Sequence, residues 1–201
     1  MNPILTVTSP ASSYDLTTLA AVKTALGITT GDDDTRISTW ITQASKRIET
    51  YCNRVFPVEA VSEVFRLDRG LDKLVLGRAP VTAITTVTED GEAVVAADYE
   101  LDAGPGFLMR LDDDEPTDWP AVKITIVYSA GFATIPADIA WACTELVKQL
   151  RSFATRDPMM KREEIPDVRT VDYWVGQVGE SSASLPPEIA AVLDPYRMVT
   201  I

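Results

Sequence analysis

Tyr128-Ser129-Ala130-Gly131-Phe132-Ala133-Thr134-Ile135-Pro136-Ala137-Asp138-Ile139 is the stretch where one periodicity stops and another begins. Just upstream, Val122 to Tyr128 is a short run of Val, Ile, Thr and Tyr, the composition of a strand. Downstream, Ile139, Cys143, Leu146, Leu150 and Phe153 recur at four, three, four and three, which marks one apolar helix face. Pro136 suits the first turn of that helix, where its missing N–H would have no intrahelical acceptor, and Asp138 suits the dipole there. The chain is expected to leave a β-rich region here and enter a long helix that ends near Phe153.

Working back from Tyr128, the runs Val58 to Leu67, Lys73 to Leu76, Val81 to Thr88, Val94 to Leu101 and Phe107 to Leu111 are short and rich in Val, Ile, Thr and Tyr. They are divided by Arg69-Gly70, Asp90-Gly91 and Gly104-Pro105-Gly106. Glu89-Asp90-Gly91-Glu92 between two such runs is a hairpin signal. Together they predict an antiparallel sheet of about five or six strands. The segment from Asp112 to Trp119 holds Asp112, Asp113, Asp114, Glu115 and Asp118 with no basic residue. Paired carboxylates of this kind can act as acid and base or hold a hard metal ion. Placed between strands and beside Pro116 and Pro120, they read instead as a solvated acidic loop.

Before Pro57 the pattern is helical. Leu16, Leu19, Val22 and Leu26 outline a short helix from about Leu16 to Leu26. Asp15 or Thr17 can cap its start, and Gly27 sits where a left-handed cap is wanted. After a polar turn, Ile37, Ile41, Ala44, Ile48, Tyr51 and Val55 outline a longer helix over about Asp33 to Arg54. Asp32, Asp33 and Asp34 lie at its N-terminal end, where negative charge is stabilised; the alternating ligands and distal glutamate of a calcium loop are missing. Residues 1–14, with Pro3 and Pro10, read as an extended arm. The second and third helices are expected to pack through Ile41, Ile48, Cys143, Leu146 and Leu150.

The fold class is therefore α+β. A discontinuous helical core of three main helices (1–56 and 136–157) carries an inserted antiparallel β-sheet (57–135), and a C-terminal assembly arm (158–201) ends in a short helix. Asp157 to Pro166 reads as a linker, Val168 to Val175 can add a strand, and Leu185-Pro186-Pro187-Glu188-Ile189 opens a helix that ends near Leu193. Tyr173, Trp174, Ile189, Leu193 and Tyr196 are large apolar groups with little local sequence to bury them. They are the candidate residues for contact with a partner, since such segments order on binding and aromatic anchors favour such contacts.

Composition narrows the function classes. The chain has 201 residues, 46% of them hydrophobic and 24% charged, which is enough for a sizeable core. No apolar run approaches the roughly 20 residues of a membrane helix, and the start lacks the basic and apolar regions of a secretory signal. Cys52 and Cys143 are the only cysteines, each on or near an apolar face, which fits buried thiols rather than a disulfide framework. A net charge of −12 disfavours phosphate contacts with nucleic acid. Histidine is absent, which removes the commonest general base and metal ligand. Phosphate-binding, dinucleotide, nucleophile-elbow and paired-cysteine motifs are also missing. No catalytic, cofactor-binding or metal residue is expected.

Three landmarks carry a family resemblance. Leu19-Ala20-Ala21-Val22-Lys23-Thr24-Ala25-Leu26 has the form L-x-x-V-K-x-x-L. Ile48-Glu49-Thr50-Tyr51-Cys52-Asn53-Arg54-Val55-Phe56 has the form I-E-x-Y-x-x-R-x-F. The third is the strand, glycine and proline-started helix of Tyr128 to Ile139. In this order they resemble the head-tail connector, adaptor or head-completion proteins of tailed bacteriophages and gene transfer agents, over about 1–156. The resemblance implies a structural virion protein in the neck, made in the host bacterial cytoplasm. It implies a ring, usually dodecameric, of neighbouring copies under the portal protein. That ring would extend a channel through which DNA passes without specific binding, and would present a surface to a tail-side head-completion or stopper protein. It implies no cofactor, no catalytic residue and no membrane contact. Two other readings compete: a β-sheet module recognising a surface glycan or protein through Tyr99, Phe107 and Trp119, and a metal-dependent hydrolase built on Asp112 to Asp118.

Overall fold

The structure is a computed structural model that describes residues 3–154, 162–165, 169–172 and 185–198. In chain order the elements are β1 (Ile4–Ser9), α1 (Leu19–Leu26), α2 (Asp34–Cys52), β2 (Glu59–Arg66), β3 (Lys73–Val75), β4 (Val81–Glu89), β5 (Glu92–Ala93), β6 (Tyr99–Asp102), β7 (Phe107–Asp112), β8 (Glu115–Thr117), β9 (Lys123–Ala130), α3 (Ala137–Ala154), β10 (Arg162–Ile165), β11 (Arg169–Asp172) and α4 (Pro187–Leu193). They form two units, one of residues 1–14 and 55–134, the other of 15–54 and 135–201.

The first unit is all β. Its larger sheet is antiparallel in the order β1-β2-β9-β4-β5, and a second sheet has the order β3-β7-β6 with β8 paired to β7. The expected single sheet is therefore two. The sheets share a core in which Val61 and Phe65 of β2 and Ile124, Ile126 and Tyr128 of β9 meet Leu74, Leu108 and Trp119. Alternation along β2 and β9 puts every second residue into this core, as the pleat requires. Residues 1–14, expected as an arm of the helical core, instead supply β1, which pairs with β2 from Ile4↔Val64 to Ser9↔Ala60. The run Val94 to Leu101 is not one strand. The chain leaves β4 and β5 there, makes a 3-10 turn over Ala96–Asp98, and joins the other sheet as β6. The hairpin at Asp90-Gly91 is present, and both residues have the positive φ that a two-residue turn of this hand needs.

The second unit is built on helices. Thr18, not the expected Asp15 or Thr17, caps α1 by accepting from the Ala21 N–H at 3.2 Å, and Gly27 closes it at φ 66°. Along α2, Ile37, Ile41, Ala44 and Ile48 are buried at four- and three-residue spacing, as are Ile139, Cys143 and Leu146 along α3. The two helices pack against each other, with Leu150 only half-buried toward the end of α3. β10 and β11 form an antiparallel hairpin from Arg162↔Asp172 to Ile165↔Arg169, so part of the expected linker is a strand.

Candidate functional site

The C-terminal residues proposed for partner contact divide in three. Leu185, Ile189 and Leu193 follow one another at four-residue spacing, the period of a helix face, and that face turns inward. Ile189 is 2% exposed and Leu193 is fully buried, with α4 packed on α3 and α2. These two residues, expected as contacts for another protein, lie in the core of the helical unit. Tyr196 is half-buried, and its hydroxyl donates to Asp138 Oδ2 at 3.1 Å; burial first and then this bond raise its pKa. Tyr173 and Trp174 lie outside the described residues.

Polar bonds fasten the end of the chain to its own helices. Tyr51 donates from its hydroxyl to Asp194 Oδ1 at 2.6 Å, which raises the tyrosine pKa. The Met198 N–H donates to the Cys52 carbonyl at 2.8 Å. The Arg197 guanidinium lies 5.1 Å from the centre of the Tyr51 ring, within cation–π range. Residues 185–198 are thus an integral part of the helical unit, and the assembly arm drawn over 158–201 is corrected. Between α3 and α4 the described residues are those of β10 and β11, which pair with each other.

The β unit holds a buried polar cluster that strand alternation foreshadows. Glu59 and Glu63 point inward on β2 with Val61 and Phe65. Glu63 Oε2 accepts from the Tyr128 hydroxyl at 2.7 Å and from the Gly77 N–H at 2.9 Å. Glu59 accepts from Arg78 Nε at 2.8 Å and from the Tyr14 hydroxyl at 3.1 Å. Burial pushes the Glu63 pKa up, opposed by its two donors, and burial with the nearby carboxylate pushes the Tyr128 pKa up. The cluster pins the Gly77–Arg78 connection, between β3 of one sheet and β4 of the other, onto β2. It is a fastening of the fold, with every named carboxylate engaged by donors from its own chain. The inward positions of the two glutamates are legible as an alternation, but their partners are not.

The remaining candidates resolve into structural parts. Asp113 and Asp114, at φ 49° and 68°, form the turn of the β7–β8 hairpin, so the acidic run is a tight turn rather than a long loop. Among the described residues no group of three or more His, Cys, Asp or Glu could hold a metal ion. Trp119 is fully buried, with its Nε1–H donating to the Leu108 carbonyl at 3.0 Å, while Tyr99 and Phe107 are half-buried; no exposed aromatic platform exists among them. Cys52 and Cys143 are buried, which pushes each thiol up to about 11 and leaves it unreactive.

Set beside known proteins, residues 15–199 match the family model described as head completion protein. The chain belongs to the head completion protein family. The match spans all three sequence landmarks, from Leu19 to Ile139. Head completion proteins are structural virion components, not enzymes. The fold of this head completion protein is similar to that of a chain in the neck of an empty gene transfer agent particle computed with C6 symmetry, at TM-score 0.61, 18% identity, and coverage of 98% of this chain and 97% of that one. It is similar, at the same coverage, to a chain of the native gene transfer agent virion (TM-score 0.61, 17% identity) and to one in the native particle neck computed with C12 symmetry (TM-score 0.57, 17% identity). Among curated proteins none matches significantly.

Proposed function

We propose that this head completion protein is one subunit of a ring in the neck of a tailed particle. The ring docks under the portal, extends the DNA channel and offers the attachment surface for the tail-side component. The observation that carries this reading is the end-to-end likeness, through both units, to chains from gene transfer agent necks computed with C6 and C12 symmetry. The segment 155–184 is the part of the chain we assign to partner contact, with Tyr173 and Trp174 as its anchors, since aromatic side chains favour such contacts.

The test uses particles made without the protein. The reading requires DNA-filled heads without tails, and restoration of the neck ring at the portal vertex when purified protein is added back. Tailed, infectious particles in the absence of the protein would overturn it. Replacing residues 157–183 with a short glycine-serine linker should leave a cooperative melt and abolish docking; normal docking would remove this segment from the attachment role.

A further inference from the structure

The middle of the outer face of the larger sheet has no charge where a solvent face should carry several. Residues directly opposite in neighbouring strands share a face. The row Thr6, Ser62, Val127 and Thr86 therefore runs across β1, β2, β9 and β4 on the side away from the core. The parallel rows that run from Ile4 to Thr88 and from Ser9 to Ala83 are equally uncharged. All twelve positions are exposed or half-buried, and Ile4 is 58% exposed. A solvated surface with a quarter to a third of its residues charged would place about three charges among twelve positions.

The absence is sharper against its surroundings. The β unit has 15 acidic and 6 basic residues, a net of −9 out of the chain's −12. None of those carboxylates lies in the three rows. One end of the face is closed by Arg66 opposite Lys123, both exposed and without an ion pair among the described residues. At the edge, β1 presents Ile4–Ser9 with no lysine, proline or charge to block pairing.

We propose that this face seats the next copy of the chain in the ring, and that Arg66 and Lys123 receive part of that copy's acidic β-unit surface. The proposal rests on the ring reading above and names the surface it requires. Identical copies carrying −12 repel, so their contact must use a patch free of carboxylates, and a ring contact joins two different patches of one chain. An uncharged patch with Arg66 and Lys123 at one end, neither in an ion pair among the described residues, meets both demands. The face spans roughly 20 Å by 20 Å, about half of the ~800 Å² per partner of a standard interface, so it forms the centre of the contact with the β1 edge and the basic end as its margin.

The experiment follows self-association of the full chain by sedimentation and mass photometry, and ring formation on portal-bearing heads by electron microscopy. Ser62→Glu with Thr86→Glu should weaken association at least tenfold. Arg66→Glu with Lys123→Glu, at exposed positions outside the core, should weaken it also while leaving the melt unchanged, so a folding defect in the first pair cannot mask the result. Variants that still form the wild-type ring would overturn this surface and leave the ring reading standing. A wild-type chain that associates neither in solution nor on heads would overturn both.

Discussion

Gly131 is the residue with the least room to change. It sits at φ +125°, and a Cβ there would overlap the Pro57 carbonyl and come within 2.8 Å of the Val58 Cα. The approach is imposed by the two chain segments at this end of the β unit, where the Phe132 N–H donates to the Phe56 carbonyl at 2.7 Å and the two phenylalanine rings stack at 6.0 Å. Gly131→Ala should cost about 3 kcal/mol or more in a denaturant melt, since it combines a disallowed backbone with a backbone clash. Glu63 gives a second prediction. Its folded pKa is raised by burial above the unfolded value of about 4.3. Its contribution to stability is then fully present below the unfolded value and is lost as pH rises through the folded one. Gln mimics the protonated form, so the melting temperature of Glu63→Gln relative to wild type should be higher at neutral pH than near pH 4. A difference that does not vary with pH would count against a raised Glu63.

At the scale of elements, α2 and α3 follow directly from sequence because a helix needs only its own apolar period to be read. Ile48 is fully buried on the α2 stripe, and Ile48→Ala should cost about 2–5 kcal/mol in an equilibrium unfolding measurement. The same cost, about 2–5 kcal/mol, is expected for Leu193→Ala, although only eight residues of the 201 follow Leu193. That second expectation could not come from sequence. Leu185, Ile189 and Leu193 spell one apolar face, and the same face serves equally to fill a gap in its own fold or to dock on another protein. The choice is made by α3 and Cys52, distant in sequence. The β region shows the same limit. Individual strands are legible from composition, but whether they make one sheet or two depends on pairings such as Lys73↔Met109 and Glu59↔Ala130, which join residues far apart. The Val94 to Leu101 run failed as a strand because its middle, Ala96–Asp98, is the passage between sheets.

For the whole molecule, charge and chain path decide most. With 15 acidic against 12 basic residues, the helical unit carries only −3 of the total −12. The free protein should not bind duplex DNA at physiological salt, and a gel shift showing micromolar or tighter affinity would contradict this. The interleaved path of the chain has a further consequence, for the order of events during synthesis. β1 leaves the ribosome before α1 and α2 and cannot join β2, its partner, until both helices have emerged. Those two helices in turn wait for α3 and α4, made after the last strand of the β unit. The helical unit therefore closes last, although it holds the first helix translated. The nascent chain carries the bare apolar stripe of α2, from Ile37 to Ile48, throughout the time the sheets take to assemble.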